Sequence, residues 1–355
     1  MELFESVMWK YIRQEKDVLS ANIVRKDIRE LAEKLCKYET IYFVSHGSSY
    51  NASMTVAPFF MKNARINVHC VTAGNFIASE NQVSLLDPQK TLAVLISQTG
   101  NSRGTLEGAK LADRYGIATL GLSADDSATL KQYTKYFLTL NCGEEDSNAK
   151  TKGMSSTILV LLLLGTYIGA EKGIITAETE KAVIAELQQQ CEELEDVYAR
   201  SVKFCEDNRF GTDMTNFYII GSDMNYGLAL EAQIKVMETM CIPTCAVDSE
   251  EFSHGTHRSI NGDTSVLIIR TAQNADMAQK TFDYFDPIAR MYMIETFADN
   301  DKINVVSVPE HSLTESVLTI VEFIQIISAY APELNHLDPN REANNEYTEV
   351  VETRI

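Results

Sequence analysis

Two hydrophobic patterns alternate along the first half of the chain. Short, almost wholly apolar runs, which are typical of buried strands, occur at 41–44, 66–72, 91–96, 117–122 and 136–140. Helix-period segments lie between them, one ending near residue 62 and another at about 103–115. Apolar strands that alternate with helices predict a parallel sheet that is covered on both faces.

Amphipathic helical patterns flank this region. Residues 2–38 show apolar positions at helical spacing and predict two helices that cover a face of the first domain or form a subunit contact. After residue 151, an apolar helix over 158–168 and a charged amphipathic helix over about 177–207 are expected.

The second half repeats the same order of strand, Gly-Ser turn and helix. Strands are predicted at 216–220, 244–247 (short and buried), 265–270 and 304–308, with helices at about 276–298 and 313–331. This repetition indicates an internal duplication and therefore an α/β fold of two tandem, doubly wound parallel sheets, flavodoxin-like, with flanking helices. The predicted organisation is 1–38 N-terminal helices, 39–170 first domain, 171–212 connecting helix, 213–332 second domain and 333–355 tail.

Charge and composition exclude several classes of partner. The net charge is −19 over 355 residues, and the sequence pI is about 4.8, so nucleic acid and anionic membrane surfaces would be repelled. The apolar run at 158–168 is too short to span a bilayer, and the N-terminus lacks the pattern of a signal peptide, so we expect a cytoplasmic protein. Seven cysteines without a CxxC motif, and six histidines without metal-ligand spacing, predict neither a metal nor another cofactor.

One predicted helix carries an acid, a base and a cation. Glu231, Lys235 and Glu238 share a helix face, and a polar loop beyond Pro243 delivers His254. A carboxylate on a helix with an imidazole nearby suits proton transfer at carbon. The alternative is a solvated helix face with an ordinary Glu–Lys pair and a capping histidine.

Two hydroxyl-rich turns follow predicted central strands and open helices. They are His46-Gly47-Ser48-Ser49 and the turn Ser97-Gln98-Thr99-Gly100-Asn101-Ser102. Backbone N–H groups and the positive helix end attract an anion at this edge of a parallel sheet, and Ser and Thr hydroxyls add donors. Each turn alone is more simply read as a helix cap, whereas both together predict a phosphosugar site.

Four motifs in this sequence resemble the double sugar-isomerase (SIS) domain family. They are HGSSYN at 46–51, SQTGNSRGT at 97–105, EEDSNAKTKGMSST at 144–157 and EEFSHGTHRSI at 250–260. The family includes the isomerase half of glucosamine-6-phosphate synthase and deglycases of phosphorylated fructosamines. The resemblance implies two SIS domains, a sugar phosphate ligand and a homodimer or higher homo-oligomer with shared active sites. It implies phosphate or substrate binding by Gly47, Ser48, Ser49, Ser97, Gln98, Thr99 and Ser102, and catalysis by Glu238, by Lys235 and by His254 reaching in from a neighbouring subunit.

Three departures from the synthase pattern bear on the activity. The chain begins at the isomerase-like region, so we do not expect it to use glutamine as an ammonia source. Lys150 stands where the synthase has a serine and would place a cation in the site, while Glu145 could contact sugar hydroxyls or belong to an ordinary charged loop. The lysine near the end of the synthase tail has no counterpart in residues 345–352, a feature shared with the deglycase branch.

The function implied is that of a deglycase. It would cleave a 6-phosphorylated fructosyl- or glucosyl-amino acid, such as a lysine adduct, to hexose 6-phosphate and free amine through an enaminol. One alternative is an aldose–ketose isomerase of hexose or amino-sugar 6-phosphates, and another is a non-catalytic phosphosugar-binding regulator. The sequence leaves the amine and the sugar open.

Overall fold

The computed structural model describes residues 2–297 and 300–352 and divides into two units. The first-sheet unit consists of Asp17–Glu145, Lys152–Ala185 and the residues from Glu342 onward. The second-sheet unit consists of the residues up to Lys16, Asp146–Thr151 and Glu186–Arg341. Residues 353–355 of the predicted tail lie outside the described residues.

Three helices, rather than the two predicted, occupy the N-terminal region. They are α1 (Val7–Ile12), α2 (Glu15–Ile23) and α3 (Lys26–Leu35). The buried carboxylate of Glu333 accepts hydrogen bonds from the backbone N–H of Ser6 and from the indole of Trp9, at 2.7 and 3.0 Å. The bond to Ser6 satisfies a backbone donor at the start of α1, and the bond to Trp9 attaches this helix to a residue distant in the sequence.

The first sheet is parallel, with strand order β2-β1-β3-β4-β5. Its strands are β1 (Thr40–Ser45), β2 (Asn67–Thr72), β3 (Thr91–Ile96), β4 (Ala118–Ser123) and β5 (Tyr136–Thr139). β3 and β4 are wholly buried, as apolar runs in the middle of a two-sided sheet should be. The helices of this part are α4 (Gly47–Ala64), α5 (Ala73–Ala78), α6 (Glu80–Val83), α7 (Arg103–Arg114) and α8 (Lys152–Glu171).

The second sheet is also parallel, and its order is β10-β9-β8-β6-β7. After the long helix α9 (Ala177–Asn208), the elements are β6 (Phe217–Gly221), α10 (Met224–Met240), β7 (Thr244–Asp248), β8 (Ser265–Arg270), α11 (Ala275–Phe285), β9 (Arg290–Glu295), β10 (Val305–Ser307), α12 (Val317–Leu334) and the short tail helix α13 (Glu346–Val350). Counted from its own first strand, the second sheet has the order 2-1-3-4-5 of the first, which is the flavodoxin order. The predicted fold class and internal duplication are therefore confirmed.

Two element predictions in the second half are wrong. The helix predicted over 276–298 ends at Phe285, and residues 290–295 form β9 instead. Pro287 interrupts the helical pattern, and the apolar run after it supplies the strand. The strand at 244–247 is not buried: only Val247 is, because β7 is an edge strand with a single neighbour.

Among the described residues, two helices are long and apolar enough by length and composition to cross a membrane. They are α8 and α12, and 94% of the apolar window of each is buried inside the fold. Helices buried to this extent are apolar because they pack in a core.

Candidate functional site

The turn after β1 opens α4 directly. Gly47 has a φ of 54°, in the left-handed region that favours glycine, and begins the helix. Ser48 and Ser49 follow in its first turn, and both are half-buried. The first N–H groups of a helix have no intrahelical partner, so this turn offers backbone donors beside two hydroxyls.

The turn after β3 is fixed by its own hydrogen bonds. The Oγ of Ser97 accepts a bond from the N–H of Gly100 at 3.1 Å, and Thr99 Oγ1 accepts from the N–H of Asn101 at 3.4 Å. Gly100 has a φ of 66°, and a Cβ at this position would lie 2.3 Å from that of Ala128. Ser102 is the residue that precedes α7.

Both turns follow the strands at which the strand order of the first sheet reverses. β1 and β3 are neighbours with parallel register, and their connections leave on opposite sides to β2 and β4. Ligands of doubly wound sheets bind at such a switch point, outside the carboxyl ends of the strands. The structure thus brings the predicted phosphate-binding residues to one edge of one sheet.

Glu145 lies beside the second turn and holds one of its side chains. Its Oε2 accepts hydrogen bonds from Gln98 Nε2 at 3.0 Å and from the backbone N–H of Gly153 at 3.2 Å, in the first turn of α8. A Cβ on Gly153 would lie 2.0 Å from Gln98 Nε2, so only glycine leaves this amide in place. The contact of Glu145 with sugar hydroxyls stays a prediction; its observed bonds orient Gln98.

The predicted acid, base and cation form a compact cluster on α10, in the second-sheet unit. Lys235 Nζ lies 2.8 Å from Glu231 Oε1 and 3.6 Å from Glu238 Oε2. The side chains of Glu231 and Lys235 are 0% exposed, whereas Glu238 keeps 36% of its side-chain surface. The alternative of a solvated helix face is therefore wrong, because a wholly buried ion pair occupies it.

Glu238 has the electrostatics of an acid–base group. Burial raises its pKa, Glu231 raises it further, and the positive charges of Lys235 and Lys150 act in the opposite direction. The net effect is a pKa above that of an ordinary glutamate. A carboxyl whose pKa lies closer to neutrality can both accept and return a proton.

His254 lies on a different segment from the α10 cluster. It ends a short 3-10 turn, Glu251–His254, and Gly255 with a φ of 139° follows it. The imidazole is exposed, and across residues 2–297 and 300–352 it makes no side-chain hydrogen bond or ion pair. Its catalytic role, and its action in a neighbouring subunit, stay predictions.

Two functional candidates escaped the sequence analysis because only long-range contacts reveal them. Asn340 accepts a bond from the N–H of Asn148 at 2.6 Å, and Arg341 Nη1 donates to the carbonyl of Thr239 at 2.6 Å. The segment 338–341 thereby joins the loop that carries Lys150 to the end of α10 that carries Glu238. These two bonds fix this part of the predicted tail to the second-sheet unit.

The sequence of this chain is similar to a family model and to known proteins. Residues 34–167 match the SIS domain. The glutamine–fructose-6-phosphate aminotransferase [isomerizing] of Fusobacterium nucleatum subsp. nucleatum is 28% identical over 242 residues, which cover 68% of this chain and 39% of that protein. The chain spans 35 to 58% of the length of such curated relatives.

Solved structures extend the likeness to the whole chain. A crystal structure from Clostridium difficile 630, provisionally named a phosphosugar isomerase, has a TM-score of 0.90 and 27% identity and covers 99% of each chain. The C-terminal domain of glucosamine-fructose-6-phosphate aminotransferase from Francisella tularensis has a TM-score of 0.83 over 95% of this chain and 98% of that one; at 17% identity it shows the fold alone. Residues 34–167 are therefore similar to a SIS domain, and the chain as a whole shares its fold with these solved structures.

Proposed function

We propose that this protein is a deglycase that releases an amine from a 6-phosphorylated fructosyl- or glucosyl-amino acid. The observation that carries the proposal is Glu238, a carboxyl with a raised pKa that remains partly accessible beside a buried Lys235–Glu231 ion pair. The hydroxyl-rich turns at the switch point of the first sheet supply the phosphate site that such a substrate requires.

The reaction needs one carboxyl to move one proton. In a fructosyl adduct, Glu238 removes a proton from C1, and the electron pair left behind forms a C1=C2 double bond while the C2=O π bond breaks. The C2 oxygen takes a proton from solvent, which gives an enaminol. Return of the proton to C2 leaves an imine at C1. Water adds to this imine and the C–N bond breaks, so that substrate plus water gives hexose 6-phosphate plus free amine.

The remaining residues receive roles that fit their surroundings. Ser48, Ser49, Ser97, Thr99 and Ser102 bind the phosphate, with Gln98 oriented by Glu145. His254 of a neighbouring subunit assists ring opening or protonates the departing amine, so the active form is a homodimer or a higher homo-oligomer in the cytoplasm.

The role of Lys235 follows from its surroundings. The resemblance implies that Lys235 takes part in catalysis, and its side chain is wholly buried against Glu231. An ammonium enclosed in this way acts on its neighbours, so we assign Lys235 to holding and tuning Glu238.

Isomerisation is the second candidate, and the relatives favour it. The C. difficile neighbour bears the name of a phosphosugar isomerase, and an Escherichia coli neighbour is a tagatose-6-phosphate ketose/aldose isomerase. The same proton transfer between C1 and C2 would then end at the aldose–ketose stage. The absence of a lysine from residues 345–352, where the synthase has one, favours the deglycase.

An amine-release assay separates these functions. The purified protein is incubated with 6-phosphofructosyl-lysine and related adducts, and hexose 6-phosphate and free amine are measured in parallel, with Glu238→Gln as the blank. Equal release of both products supports the deglycase. Interconversion of fructose 6-phosphate and glucose 6-phosphate, without action on the adducts, would identify an isomerase, and tight binding without any turnover would identify a regulator.

Subunit mixing tests the shared site. Glu238→Gln and His254→Ala chains, each inactive alone, should regain part of the activity in hybrid dimers. If no activity returns although hybrids form, His254 acts within its own chain or not at all.

A further inference from the structure

We propose that Lys150 determines specificity by binding a carboxylate on the amine part of the substrate, so that amino-acid adducts are selected over adducts of neutral amines. This inference rests on the proposed function, since it assigns the substrate class of the site around Glu238.

The loop of Lys150 is built into the second-sheet unit. Residues 146–151 belong to that unit although the chain on both sides belongs to the other. The Oγ of Ser147 donates to the carbonyl of Ala149 at 2.8 Å, and Gln325 Nε2 donates to the carbonyl of Thr151 at 3.4 Å. Ser147, Ala149 and Thr151 are buried, while Lys150 is half-buried among them. The loop backbone is thus anchored on both sides of one partly accessible lysine.

The tail segment places this lysine relative to Glu238. The side-chain amide of Asn148 donates a hydrogen bond to the backbone carbonyl of Asn340 at 3.2 Å. The backbone N–H of Asn148 also donates to the side-chain Oδ1 of Asn340 at 2.6 Å. The next residue, Arg341, bonds the carbonyl of Thr239, which follows Glu238 directly. Two consecutive tail residues therefore connect the two segments, and the charge of Lys150 acts on the carboxyl of Glu238.

The charges around Glu238 favour a cation on its accessible side. Lys235 is balanced by Glu231 at 2.8 Å and by Glu238 at 3.6 Å, and its ammonium is enclosed. An anionic group approaching Glu238 would meet two carboxylates in a protein of net charge −19. Lys150 supplies the positive charge that offsets this repulsion on the accessible side.

The chemistry of the substrate identifies the anion. Its phosphate is accounted for by the turns of the first sheet, its sugar carbons carry neutral hydroxyls, and its amine is neutral or positive. In an amino-acid adduct, the further anion is the carboxylate of the amino acid. An ammonium and a carboxylate form a charge-assisted hydrogen bond, which is about twice as strong as a neutral one.

Binding of reduced adducts tests the inference without turnover. N-(1-deoxy-6-phosphoglucitol-1-yl)glycine and its ethanolamine counterpart differ in one carboxylate and lack the carbonyl that the reaction needs. By calorimetry, the full-length protein should bind the glycine compound about 10- to 100-fold more tightly. Lys150→Gln should abolish this preference while the affinity for the ethanolamine compound stays the same. Lys150→Arg should retain most of it, and the exposed Lys62→Gln serves as the control.

The tail clamp gives a second, independent variant. Asn340→Ala removes the side-chain oxygen that accepts the hydrogen bond from the N–H of Asn148, and it should weaken the preference for the glycine compound. When Asn340→Ala is combined with Lys150→Gln, the loss of preference should be less than additive. Equal preference in wild type and Lys150→Gln would overturn the inference, as would the absence of any preference in the wild type. A Lys150-dependent preference in a protein that releases no amine from unreduced adducts would instead overturn the deglycase and leave the carboxylate site standing.

Discussion

The two sheets have the same strand order but carry opposite chemistry at their switch points. In the first sheet, the helices after β1 and β3 begin beside hydroxyls and glycines. In the second sheet, the helix after β6 begins behind Asp223, whose negative charge would oppose an incoming anion at that end of α10. The turn after β8 is closed on itself, because Asn274 bonds the N–H of Thr271 and the hydroxyl of Ser249.

This difference shows that two copies of one fold can carry different chemical groups. Backbone geometry provides each sheet with an edge where a ligand could bind, and the side chains of the turns decide whether an anion is accepted. The second sheet offers instead the length of α10, on which buried charges create an acid–base group. The following experiments compare the neutral donors of the first-sheet unit with the paired charges of the second-sheet unit.

The largest effect is expected at Glu238. Glu238→Gln keeps the shape of the side chain but removes the proton acceptor, so turnover should fall about 10²–10⁴-fold. Affinity for glucose 6-phosphate should change little, because the phosphate donors lie in the other unit. Calorimetry and the amine-release assay measure the two effects, with the exposed Glu206→Gln as control, and near-normal turnover would remove Glu238 from the mechanism.

Breaking the buried ion pair of α10 should lower the free energy of unfolding more than breaking an exposed ion pair does. Lys235→Met leaves Glu231 as an uncompensated buried charge, which costs about 3–5 kcal/mol in the free energy of unfolding. The double variant Glu231→Gln/Lys235→Met should recover much of this loss, as measured in urea. Lys90→Met breaks an exposed pair with Glu39 in the first-sheet unit and should have little effect. Equal losses in the single and double variants would contradict a paired buried charge.

Removing hydroxyls should affect phosphate affinity at the switch point of the first sheet but not at that of the second. Ser48→Ala/Ser49→Ala deletes two donors of the first-sheet turn, and each lost bond to a charged phosphate is worth about 1.5–3 kcal/mol, so glucose 6-phosphate affinity should fall at least about tenfold. Ser222→Ala makes the corresponding change after β6, where no phosphate is expected, and should leave affinity unchanged. A loss at Ser222 equal to that at Ser48 and Ser49 would show that both sheets bind phosphate.

The smallest expected effect is a displaced pH profile. Glu238 must be ionised to accept a proton, so activity should be lost as the pH falls through its raised pKa, which lies above that of an ordinary glutamate. Lys150 lowers this pKa, so Lys150→Gln should move the acid limb of kcat/KM to higher pH. An unchanged limb, with Lys62→Gln as reference, would show that the charge of Lys150 does not reach Glu238.

Much of the architecture could be predicted from the hydrophobic pattern. Nine of the ten strands were predicted near their observed positions because buried parallel strands form continuous apolar runs, as at 91–96 and 265–270. β9 was not predicted, because its apolar run directly follows a helical pattern. Pro287 marks the point where that helical pattern ends. The burial of β7 was overestimated, since the sequence does not state which strand lies at an edge.

The candidate site divides along the same line. Local order determined the turn residues 46–49 and 97–102 and the helix face of Glu231, Lys235 and Glu238, because each set lies within one strand–turn–helix segment. Only the tertiary structure decided that Lys235 is enclosed, that Glu145 orients Gln98, and that Asn340 and Arg341 join the loop of Lys150 to the end of α10. Those properties depend on residues that are distant in the chain, and burial, not residue type, decides whether a charged side chain is solvated or paired.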